Sequence, residues 1–126
     1  MTAKIIVAED DPNIQMLLAM FLRSQGYTVL TAQNGQEALQ ILEKETADLL
    51  ITDVMMPVMN GYQLVHTLTA ERYDIPTPKI IILTSRTDPS DVSRGLNVGA
   101  DVYIPKPFDI QQVAAQVNEL LAGKKD

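Results

Sequence analysis

The chain has no cysteine and no tryptophan, and it carries one histidine and two phenylalanines among 126 residues. Without cysteine, thiol nucleophiles, thiolate metal sites and disulfides are all excluded. The absence fits a reducing compartment. The lone His66 falls within the third helical stretch with no second ligand near it in sequence, so it reads as a surface or groove residue and not as a metal ligand. Basic residues are outnumbered, 10 Lys and Arg against 16 Asp and Glu, and the net charge of -6 has the wrong sign for direct nucleic-acid binding. No apolar run approaches the roughly 18 residues that a membrane span needs. The start, Met1-Thr2-Ala3-Lys4, leads into a strand-like run with no signal peptide. A cytoplasmic location and no membrane contact are therefore expected.

What is present is an alternation of apolar runs and helical periods. Ile5 to Ala8 is a short continuous apolar run, as in a strand buried on both faces. Ile14, Leu17, Leu18, Phe21 and Leu22 follow at helical spacing, with Asp11 as cap, Pro12 at the first helical position and Gly26 as stop. Tyr27 to Ala32 is a more polar strand near an edge. Asn34-Gly35-Gln36-Glu37 resembles a capping box opening a helix through about Glu45. Leu49 to Ile51 is a second buried strand, and 53–61 is a loop broken by Pro57 and Gly61. Leu64, Val65 and Leu68 mark a third helix, and Ile80 to Leu83 is another buried strand. Asp88 caps a short helix that ends at Gly99, Val102 to Ile104 is the fifth strand, and Asp109 caps a last helix with the stripe Ile110, Val113, Val117, Leu120 and Leu121.

Five βα units in one chain of this size predict a single α/β domain over 1–126, with a polar tail at 122–126. The sheet should be parallel and doubly wound, flavodoxin-like, with strand order 2-1-3-4-5. Ligands bind such sheets beyond the carboxyl ends of the strands where the order reverses, here between strands one and three.

The residues that follow the strands converge on that point. Glu9, Asp10 and Asp11 follow strand one, Asp53 follows strand three, Thr84 and Ser85 follow strand four, and Lys106 follows strand five. Asp11 reads as a helix cap. Glu9, Asp10 and Asp53 together would repel one another, and a hard divalent cation with oxygen ligands, Mg²⁺ above all, relieves that repulsion. Lys106 adds a fixed positive charge suited to phosphate. A carboxylate beside Mg²⁺ and a lysine is a plausible phosphoryl acceptor, which singles out Asp53. On residue type alone Thr84 is an ordinary strand-end hydroxyl and Tyr103 an edge-strand core aromatic.

Ile5-Ile6-Val7-Ala8-Glu9-Asp10-Asp11-Pro12, Asp48 to Pro57 with Asn60-Gly61, Leu83-Thr84-Ser85, and Gly99 to Phe108 together resemble the CheY-like receiver domain of two-component response regulators, over essentially the whole chain. The resemblance implies that Asp53 is the phosphoacceptor and that Asp10 and Asp53 bind Mg²⁺ directly, with Glu9 acting through water and the backbone carbonyl of Met55 completing the set. It implies that Lys106 binds the acyl-phosphate oxygen, with a cis bond to Pro107. Thr84 would bond the phosphoryl group and Tyr103 would rotate inward with it. The donor would be a phosphohistidine on a histidine kinase or phosphotransfer protein. The output would be a downstream protein target, met by the face of the fourth helix, fifth strand and fifth helix. Such a switch is no enzyme beyond catalysing its own phosphorylation and dephosphorylation.

Two departures stand out. Glu9 stands where many relatives carry Asp, and Arg86 occupies a position that influences phosphate lifetime. Relatives that dimerise do so through salt bridges between the fifth strand and a basic fifth helix. Here Arg94 and Asp101 could start such a network, but Val102 replaces an acid and the last helix has no Lys or Arg, so a monomer is expected.

Three other readings compete with this one. A haloacid-dehalogenase-type phosphatase needs an acid two residues after the nucleophile, where Met55 stands. A nucleotide or flavin carrier would need a glycine-rich phosphate loop, and there is none. A degenerate receiver would bind partners without phosphorylation, although here every chemical residue is present. The chain could also be a receiver excised from a longer regulator with an output domain.

Overall fold

The computed structural model describes residues 2–85 and 88–122. Arg86 and most of the polar tail, 123–126, lie outside the described residues. Five parallel strands run in the order β2-β1-β3-β4-β5. They are β1 Lys4–Ala8, β2 Thr28–Ala32, β3 Leu49–Thr52, β4 Lys79–Thr84 and β5 Val102–Pro105. The helices are α1 Pro12–Ser24, α2 Gly35–Lys44, α3 Gly61–His66, α4 Pro89–Val98 and α5 Ile110–Leu120. α3 widens into a π-helical turn, Thr67–Glu71, closed by the Arg72 amide on the Thr67 carbonyl.

Alternate residues of the central strands feed two separate cores. Ile5, Val7, Leu49, Ile51, Ile81 and Leu83 pack against α1 and α5. Ile6, Leu50, Ile80 and Ile82 pack against α2 and α3. Strands buried on both faces explain why β1, β3 and β4 are continuous apolar runs. Among the described residues no helix is long and apolar enough to cross a membrane.

The ends of elements depart from the sequence reading at several points. In the expected α1 stripe, Leu17 is half exposed and Ala19 is buried in its place. Asn34 caps α2 through the Glu37 amide, but the Glu37 carboxylate turns to the Gln33 amide, so the reciprocal box is incomplete. The complete box opens α3, where the Asn60 and Gln63 side chains each bond the other's backbone amide. Asp88 stands at the start of α4 but makes no capping side-chain bond, and Pro89 alone sets that helix turn. Asp11 and Asp109 do cap α1 and α5.

Candidate phosphoacceptor site

The order of strands reverses beside β1, so the loops after β1 and β3 open a crevice at the carboxyl end of the sheet. Parallel pairing of Ala8 with Thr52 brings the following residues, Glu9 and Asp53, side by side. Both carboxylates are almost fully buried, 2% and 6% exposed. Lys106 enters from the loop after β5 and bridges them: its Nζ lies 2.7 Å from Asp53 Oδ2 and 2.8 Å from Glu9 Oε1. Lys106 is held in turn by its own amide on the Thr84 carbonyl at 2.8 Å, and its bond to Pro107 is cis.

The remaining oxygens are also engaged. Asp53 Oδ1 accepts from the Val54 and Met55 amides at 2.6 and 3.2 Å. Glu9 Oε2 accepts from the Asp11 amide at 3.1 Å. The Gln15 side chain pins the backbone here, donating to the Glu9 and Ala32 carbonyls. Burial, the largest influence, pushes the Glu9 carboxyl above its ordinary value, against the pull of Lys106. Burial alone would lower the Lys106 ammonium, but bonds to Asp53 and Glu9 outweigh it and hold the pKa above the usual lysine range.

Asp10 is exposed at the mouth of the site. Carboxylate oxygens of Glu9, Asp10 and Asp53 all lie within 4.8 Å of one another. Three converging hard oxygen donors, two of them desolvated, fit a divalent cation such as Mg²⁺. Met55 and Asp10 line a cavity of about 510 Å³ with Pro57, Asn60, Tyr62 and Arg94. The loop between β3 and α3 reaches this geometry through an unusual backbone. Val58 adopts φ 71°, and the Met59 amide bonds back to the Pro57 carbonyl, a γ-turn. Gly61 is required at its end, because a Cβ there would fall 2.2 Å from the Asp53 carbonyl oxygen.

Thr84 is fully buried at the end of β4. Ile82 pairs with Tyr103 and Thr84 with Pro105, so Thr84 and Tyr103 project from the same face of the sheet. Tyr103 is half-buried, with its hydroxyl 3.3 Å from that of Tyr62.

The profile of the response regulator receiver domain matches residues 5–118. The chain belongs to the response regulator receiver domain family. Response regulator MprA of Mycobacterium ulcerans is 37% identical over 99% of the chain and 53% of that protein. The probable transcriptional regulator ycf27 of Cyanophora paradoxa is 42% identical over 94% of the chain and 48% of that protein. The receiver thus spans about half the length of the curated relatives it matches. Among solved structures, the signal receiver domain of a histidine kinase from Syntrophus aciditrophicus superposes with TM-score 0.89 at 39% identity, covering 98% of this receiver and 93% of that chain. Chemotaxis protein CheY4 of Vibrio cholerae gives 0.86 at 32%, covering 96% and 100%.

Of the residues singled out in the sequence, the receiver's structure brings Glu9, Asp10, Asp53 and Lys106 together and places Met55 and Thr84 beside them. The Arg94 guanidinium stacks on the Tyr62 ring, 4.4 Å from its centroid, and Asp101 Oδ2 accepts from the Ile80 amide at 2.7 Å. Tyr62, Gln15 and the Asn60–Gln63 box were missed. Only the box had a legible signal, the N-x-x-Q spacing.

Proposed function

We propose that this receiver is a phosphorylation-dependent switch whose acceptor is Asp53. The observation that supports it best is the Lys106 ammonium bridging two buried carboxylates at the switch point of the sheet. An Asp53 oxygen attacks the phosphorus of a phosphohistidine on a histidine kinase or phosphotransfer protein. The new O–P bond forms as the P–N bond breaks, and the imidazole leaves with the electron pair and takes up a proton. Phosphoryl transfer depends on positioning and charge stabilisation. The Val54 and Met55 amides fix the attacking carboxylate, and Lys106 stays to offset the charge that the phosphoryl group adds. Asp10, Asp53 and Glu9, with the Met55 carbonyl, would hold Mg²⁺, which would neutralise phosphoryl oxygens during transfer. The receiver catalyses only its own phosphorylation and dephosphorylation in this reading, and it works in the cytoplasm. Thr84 and Tyr103 carry the change to α4, β5 and α5, where a downstream protein binds.

A donor must present its histidine beside Lys106. An apolar cavity of about 520 Å³ lies there, lined by Ile14, Leu17, Lys106, Phe108 and Ile110. On α1 the apolar surface continues over Met16 and Met20, 60% and 62% exposed. This face suits an apolar helix of the donor. With Val102 in place of an acid and no Lys or Arg on α5, the receiver is expected to remain monomeric.

Intact mass spectrometry after treatment with Mg²⁺ and acetyl phosphate should show one added phosphate on the wild type and none on Asp53→Ala. Equal incorporation in both would remove Asp53 from the role, and none in either would leave a phosphorylation-independent binding module. Mg²⁺ at tenfold its Kd should raise stability by about 1.4 kcal/mol, with most of the gain lost in Asp10→Ala.

A further inference from the structure

We infer that Tyr62 is a positioning residue for the switch: its hydroxyl holds Tyr103 in its half-buried pose against α4 and couples that pose to α4. The inference deepens the proposed switch and rests on Tyr103 being its moving part.

Tyr62 is buried, 3% exposed, on the first turn of α3. Its hydroxyl lies 3.0 Å from the Asp91 carbonyl of α4 and 3.3 Å from the Tyr103 hydroxyl of β5. A carbonyl only accepts, so the single Tyr62 proton goes to Asp91. In the pair with Tyr103, Tyr62 is therefore the acceptor and Tyr103 the donor. One buried oxygen thus joins α3, α4 and β5. At 3.3 Å the second bond is long for two hydroxyls, hence weak, as suits a contact that must break and re-form.

The surroundings shape the same pose. Gly95 of α4 leaves a notch that the Tyr103 ring fills, since a Cβ there would lie 2.8 Å from two ring carbons. Arg94, next in the chain, stacks on the Tyr62 ring. Arg94 and Tyr62 also line the cavity that contains Asp10. Tyr62 therefore stands between the acceptor site and the switch tyrosine, touching the wall of one and the hydroxyl of the other. An outward turn of Tyr103 breaks its bond to Tyr62 and vacates the notch, and either change loosens α4.

Tyr62→Phe deletes only the oxygen and keeps the ring under Arg94. Ring-labelled tyrosine NMR reads Tyr103 directly, with Tyr73, 82% exposed, as an internal reference for an outward ring. Without any phosphodonor, Tyr62→Phe should raise the population of Tyr103 outside this pose about two- to tenfold, the equilibrium equivalent of one neutral hydrogen bond. This arm needs no phosphorylation, so a failure of Asp53 to accept phosphate would leave its result intact. Gly95→Ala, which crowds the ring without touching Tyr62, should push Tyr103 the same way. Tyr103 signals that move in Gly95→Ala but match wild type in Tyr62→Phe would overturn the role of the hydroxyl, as would signals unmoved in both. Should Tyr62→Phe fail to fold, Tyr103→Phe deletes the pair from its other side. Faster exchange of α4 amides in that variant would support the coupling, and unchanged exchange would overturn it.

Discussion

α4 and α5 have nearly equal lengths, 10 and 11 residues, and lie against opposite faces of the same end of the sheet, yet they are held by different forces. α5 buries Val113, Ala114 and Val117, with Leu121 at its cap, in a core made with β1, β3, β4 and α1. α4 buries only Gly95. What holds α4 is directional: the Tyr62 hydroxyl on Asp91, the Arg94 stack on Tyr62, and the Thr69 hydroxyl on the Val98 carbonyl at 2.7 Å. Apolar burial is non-directional and is lost in proportion to area, so α5 resists displacement. Polar ties can exchange partners at little net cost, since each contributes about 1 kcal/mol or less.

The largest expected difference is in local opening. α4 amides should exchange roughly a hundredfold faster than those of α5, because a helix with so little apolar burial opens without global unfolding. Hydrogen exchange with mass spectrometry would read both helices in one experiment. Equal protection would break the comparison and leave α4 as rigid as its counterpart.

Substitution should separate them next. Val117→Ala removes buried methyl groups from α5 and should cost about 2 kcal/mol. Leu96→Ala on α4, where the side chain is 45% exposed, should change stability by less than about 0.5 kcal/mol. Urea titration of the two variants decides. Similar losses would mean that α4 carries more of the fold than its burial suggests.

Much of this architecture was legible in the residues. Continuous apolar runs announced β1, β3 and β4, because strands covered on both faces need no polar side. Polar residues placed directly after β1 and β3 announced Glu9, Asp10 and Asp53, and the residue directly after β5 announced Lys106. Leu17 was misread for a physical reason: helical periodicity reports an apolar stripe but not what the stripe faces, and Leu17 faces outward beside Met16 and Met20. Asp88 was misread because residue type permits a cap without compelling the side chain to make one. The pull of Tyr62 on α4 had no local signal at all. Its partners lie 29 and 41 residues away in sequence, and only the folded sheet brings them together. The diversion of Arg94 onto the Tyr62 ring was hidden in the same way.

The smallest expected effect concerns a second tyrosine tie, on the α5 side. The Tyr27 hydroxyl bonds the Asn118 side chain of α5. Burial raises the Tyr27 phenol above its ordinary 10.0, because the phenolate would be poorly solvated there. The folded chain therefore keeps this proton at a pH where the unfolded chain has released it. Stability from Tyr27 is complete below pH 10 and is lost as pH rises through its folded pKa. Lys106, raised above 10.5 by Asp53 and Glu9, loses its contribution in the overlapping range above that value. Glu9 acts at the other end: its raised carboxyl opposes folding at neutral pH, and that cost is relieved as pH falls through its folded pKa toward 4.5. Tyr27→Phe should therefore flatten, but not abolish, the alkaline fall in stability, by less than one proton per molecule, since Lys106 remains. Urea midpoints measured from pH 9 to 11.5 in EDTA would show it. An unchanged alkaline slope in Tyr27→Phe would mean that Tyr27 ionises as easily folded as unfolded, and its burial would then do nothing to hold the proton.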